Sequence, residues 1–157
     1  MFLSVPSLLS DIANRLSDDV LPQLPGASWP ASHVRSSLVL LAYTKIMLEE
    51  GPDFLSGEIA EIRSLLDAVK AELATSGSSP DLATEIDSLL VEPVPALAIE
   101  ALQKCLEAHQ AILNVAIDLA HGGELTGELG DRIRTYLKGY PAREAAIFGN
   151  LITMMPL

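Results

Sequence analysis

The stretch PALAIEALQKCLEAHQAILNVAIDLAHGG, residues Pro95–Gly123, decides the fold. Leu97, Leu102, Cys105, Leu106, Ile112, Leu113, Ala116 and Leu119 recur at helical spacing and share one arc. Glu100, Gln103, Glu107, Gln110, Asn114, Asp118 and His121 fill the other. An apolar arc opposite a polar one is a long helix with one face in a core. VEPVP, ending at Pro95, sets its start, and Gly122-Gly123 sets its end.

Prolines and glycines cut the rest of the chain into similar pieces. Upstream, Ser79-Pro80-Asp81 is a helix-start signature for a short helix to about Leu90. Before it, Ile59, Ile62, Leu66, Val69 and Leu73 form a stripe on a helix from Pro52 or Ser56 to Thr75. A helix over Pro30–Glu50, closed by Gly51, is apolar all round from Leu38 to Tyr43. The first helix spans about Val5–Leu21, with Pro6 in its first turn and Leu8, Leu9, Ile12, Ala13, Leu16 and Val20 on one face. Between these two, PQLPGASWPAS (22–32) reads as a loop. Downstream, Thr126–Lys138 and Pro141–Met155 read as two more helices. No strand-like alternation and no repeat occurs. The pattern predicts an all-α helical bundle of six or seven helices. It predicts one domain over 1–157, with possible halves 1–78 and 79–157; the stretch Leu82–Pro95 is the other place where two halves could part.

Composition excludes several functions. At 49% apolar, the chain buries enough surface to offset its conformational entropy, so it is not disordered. Ten Lys and Arg against 21 Asp and Glu give a net charge of -11. Nucleic acid and anionic membranes both require clustered positive charge, so neither is an expected partner. A lone cysteine, Cys105, permits no intramolecular disulfide and no cysteine-based zinc cluster. MFLSVPSLLSDIANR lacks the basic start of a secretory signal, and the apolar run Leu38–Leu48 is short and holds Lys45. A cytoplasmic location is therefore expected.

Charge is unevenly spread. Residues 1–131 hold 20 acidic and 6 basic residues, whereas 132–157 hold Arg132, Arg134, Lys138 and Arg143 against Glu144 alone. Tyr136 and Tyr140 lie among those four cations, which are candidates to receive a phosphate or carboxylate or to pair with the acidic remainder.

His109 falls in the apolar arc of the long helix, one turn from Cys105. It reads either as a neutral core histidine or as a pocket imidazole. As a pocket, His109, Cys105 and Tyr43 would line an apolar cavity, with Arg132, Arg134, Lys138 and Arg143 as the anchor for an anionic end. Lys45, on the face of Val34, Leu38, Leu41 and Leu48, reads as a snorkelling side chain, as a partner of Glu49 one turn on, or as a desolvated lysine of a site. Cys105 and His109 have i, i+4 spacing, but mid-helix there are no free oxyanion donors. No Glu-x-x-His or His-x-x-x-His occurs, so no metal site is expected, and no cofactor fingerprint is present. No catalytic residue is assigned.

Residues Leu8–Leu66 resemble a family of small uncharacterised all-helical proteins. The matching pieces are Val20-Leu21-Pro22, His33-x-Arg35 and Leu48-Glu49-Glu50-Gly51. Where the family tends to carry an Asn four residues after the Arg, this chain has Val39. Members are often encoded beside aminoglycoside-phosphotransferase-like kinases and acyl-CoA dehydrogenases, so the resemblance implies an accessory role beside an enzyme.

Together these features lead to a non-catalytic helical interaction protein, self-associating as a dimer and serving an enzyme partner. The apolar second helix and the tail Ile147, Phe148, Leu151, Ile152, Met154, Met155 and Leu157 are the surfaces expected to meet something. The alternative is a small-molecule-binding bundle with the His109 pocket.

Overall fold

A computed structural model describes residues 4–26, 28–96 and 98–153; the side chains of Asn150, Ile152 and Thr153 are outside that description. Met154, Met155, Leu157 and Leu97 lie outside the described residues. Within them the chain is all-α, with six α-helices and no strand. These are α1 (Val5–Arg15), α2 (Trp29–Glu49), α3 (Gly51–Ser76), α4 (Pro80–Val91), α5 (Ile99–His121) and α6 (Gly127–Thr153). No described helix is long and apolar enough to cross a membrane.

Local chemistry explains most ends. Ser4 and Ser28 accept the backbone N–H of Ser7 and Ala31 through their hydroxyls, capping α1 and α2. Gly123 adopts φ +78°, and Gly123 and Glu124 donate their N–H groups to Ala120 and Leu119. That paired closure satisfies the last carbonyls of α5, as Gly122-Gly123 predicts. Gly77, at φ +69°, ends α3 and donates to Leu73.

Four details differ from the sequence reading. α1 continues as a π-helical turn (Leu16–Val20) and a 3-10 turn (Leu21–Gln23). Gly51 does not close α2 in a left-handed turn; Glu50 links the helices and Gly51 opens α3. Ser79 precedes α4 at φ 47° and makes no side-chain cap bond. The two expected last helices are one, because α6 runs through Pro141. A proline removes one helical hydrogen bond and crowds the preceding turn, which favours a break without forbidding continuation.

The chain divides into two compact units, Met1–Gly51 with Ala142–Leu157, and Pro52–Pro141. In the second unit, α3, α4, α5 and the first part of α6 enclose a continuous core that includes Ile59, Ile62, Leu66, Ile86, Leu102 and Ile133. Its polar contacts fix the helix directions. Lys70 pairs with Asp87, and Arg63 donates to the carbonyls of Leu90 and Glu92, so α3 and α4 are antiparallel. Glu72 accepts from Thr126 while Glu58 accepts from Tyr136, so α3 and α6 are antiparallel as well. Residues 82–95 lie wholly inside this unit.

In the first unit, α1 and its two tight turns pack along α2. Tyr43 of α2 stacks on Phe148 of α6, with ring centroids 5.3 Å apart. Among its described residues only Ala31, Gly51 and Leu151 are buried.

Candidate functional site

The apolar surface of the first unit arises from residues that a deep core would hide. On α1, Val5, Leu8 and Ile12 follow i, i+3, i+7 spacing and share one side; Val5 is 58% exposed. On α2, Trp29, Leu40 and Tyr43 fall within about 60° of one another at 100° per residue. Trp29 is 76% and Leu40 65% exposed. His33 extends the same stripe, its ring edge-on to Trp29 at 4.0 Å. Leu48 is exposed too. α2 is apolar over most of its circumference, so packing α1 on one side leaves apolar groups on another.

Lys45 is half-buried and makes no ion pair among the described residues. It belongs to the first unit, as do Tyr43 and Arg143.

His109 and Cys105 belong to the second unit. His109 is 1% exposed. A carbonyl only accepts, so His109 Nδ1 carries the proton and donates to the Cys105 carbonyl at 2.7 Å. Nε2 is buried with no hydrogen-bond partner among the described residues. Burial holds the imidazole below its usual 6.5; the Cys105 carbonyl and Glu92 oppose that shift and Arg63 adds to it. Cys105 Sγ lies 3.7 Å from the protonated Nδ1. Burial pushes the thiol up as well. A protonated thiol facing a ring N–H is not an activated nucleophile.

Within the second unit, Arg132 does not share a helix face with Arg134 and Lys138. On α6, Arg132 lies about 160° from Arg134 and about 120° from Lys138 at 100° per residue. Arg134 forms an ion pair with Asp131. Arg132 and Lys138 are exposed. Among the described residues no group of three or more His, Cys, Asp or Glu is placed to hold a metal ion.

Two clefts run between α5 and α6 in the second unit. One, of about 230 Å³, lies beside the α5–α6 turn and includes Ile117, His121, Leu125, Asp131 and Arg134. The other, of about 330 Å³, includes Gln110, Asn114, Tyr136, Tyr140 and Pro141. Neither includes His109 or Cys105. Tyr136 is buried, and its hydroxyl donates to Glu58 Oε2 at 2.7 Å; Glu58 is itself buried. Sequence reasoning passed over that pair, although Glu58 sits in the apolar rhythm of Leu55, Ile62, Leu65 and Val69. Gln110 and Asn114 stand on the polar arc of the long helix, which the sequence alone does not single out as a site.

Comparisons with family models, curated proteins and solved structures find no match to this chain.

Proposed function

We propose that this chain is a non-catalytic, cytoplasmic helical interaction protein that dimerises through its first unit and serves an enzyme partner. The observation that carries this is the set of exposed apolar side chains on the first unit, Trp29, Leu40 and Tyr43 on one side of α2 and Val5, Leu8 and Ile12 on one side of α1. Apolar side chains exposed in that number on so small a unit commonly mark an interaction surface. Fully burying one such side chain contributes up to about 1.5–3 kcal/mol. Association costs about 4–15 kcal/mol in lost freedom, so one residue does not suffice. An isologous dimer presents the whole stripe twice, and the repeated contribution offsets that cost. The second unit encloses the larger core, with Val91, Val94, Val115 and Leu137 left exposed on it. The enzyme partner rests on the resemblance of residues 8–66 and on the accessory role it implies.

The test is light scattering after size exclusion on the wild-type chain and on Leu40→Asp. Leu40 is exposed, so the aspartate leaves the fold intact, checked by circular dichroism. The wild type is expected to run as a dimer and Leu40→Asp as a monomer. A wild-type monomer, or a variant that dimerises equally well, contradicts the proposal.

A further inference from the structure

We infer that the cleft between α5 and α6 beside Pro141 binds a small uncharged aromatic molecule bearing an amide or hydroxyl group. The inference is independent of the self-association proposed above. At about 330 Å³ the cleft reaches the lower end of the range that holds small ligands. Its walls are of two kinds. Leu113, Leu137 and the rings of Tyr136 and Tyr140 offer apolar and aromatic surface, which suits a flat ring. Gln110 and Asn114, one helical turn apart on α5, carry carboxamides that make no hydrogen bond among the described residues. Each presents both donors and an acceptor.

Pro141 adds to the polar side. It has no N–H, so the Leu137 carbonyl lacks its usual donor four residues on. Leu137 and Pro141 both line the cleft, so that carbonyl lies on the lining face of α6. The cleft is also pre-shaped, because the Tyr136 hydroxyl is held by buried Glu58 and cannot swing freely.

No lining side chain is charged. A carboxylate or ammonium entering here would shed water without gaining a counter-charge, which disfavours both. A neutral amide keeps the ring contacts and matches the carboxamides in both donor and acceptor roles.

The experiment uses the full chain, isotope-labelled, titrated with benzamide, benzoate and benzylamine by nuclear magnetic resonance. Benzamide is expected to bind in the millimolar range and shift the side-chain NH₂ signals of Gln110 and Asn114. Intermolecular contacts should appear to the methyls of Leu113 and Leu137. Benzoate and benzylamine should bind about tenfold more weakly. The double variant Gln110→Ala/Asn114→Ala should weaken benzamide about fivefold or more. The inference is overturned if benzamide leaves those NH₂ signals unmoved, or if its contacts fall elsewhere. It is equally overturned if a charged probe matches benzamide, or if the double variant binds it unchanged.

Discussion

His109 shows how one buried atom sets a pH response. With Nε2 buried and unpartnered, a second proton would place a charge in an apolar surround. The folded-state pKa is therefore lowered, and the unfolded chain takes the proton more readily. Stability from this group is complete above the ordinary value of 6.5 and declines as pH falls below it. Urea unfolding should show a midpoint that drops between about pH 7 and pH 5, before the carboxylates titrate. His109→Leu should remove that drop. It should cost little at high pH, because the Cys105 carbonyl still has the helical N–H of residue 109 as donor. An unchanged pH profile in His109→Leu would show that the decline comes from other groups. Of the two readings that the sequence left open for His109, the geometry matches a core histidine. Periodicity fixed its arc, whereas tautomer and partner depend on backbone geometry that spacing does not carry. Tyr136→Phe is the companion case. It strips a donor from buried Glu58 and should destabilise by about 1–3 kcal/mol, measured by the same unfolding. No loss of stability would mean that Glu58 is fully satisfied without it.

At the scale of the element, side chains from α3 complete the ends of its neighbours. Arg63 donates to the carbonyls of Leu90 and Glu92, where α4 runs out of helical donors. Glu72 accepts from the Thr126 hydroxyl at 2.9 Å and from the Thr126 N–H, just ahead of α6. Glu72→Ala should cost about 0.5–2 kcal/mol, the range of a lost helix cap. It should also speed amide exchange in the first turn of α6; exchange rising evenly over the whole chain would contradict a local role. Helix existence was legible throughout, because proline, glycine and the 3.6-residue stripe each act locally. Where α2 ends and whether α6 survives Pro141 were not legible. Gly51 and Pro141 permit either outcome, and packing along the chain decides between them. Arg63 and Glu72 escaped for the same reason, since their partners lie 27 or more residues away.

The whole molecule joins a unit with a deep core to one whose apolar residues are only shallowly covered. That difference was partly visible beforehand, in the all-round apolarity of Leu38–Tyr43. The division into units was not, because residues 142–157 join the first unit from the far end of the chain. The charge asymmetry along the sequence is divided on α6, where helical rotation separates Arg132 from Arg134 and Lys138. The proposed dimer rests on apolar rather than ionic contacts, so it should persist in high salt. Sedimentation equilibrium of the full chain, over micromolar concentrations and at low and high salt, tests this most directly. The account predicts a mass approaching twice the chain's 16.7 kDa as concentration rises, little affected by salt. A mass that stays at 16.7 kDa throughout would contradict it.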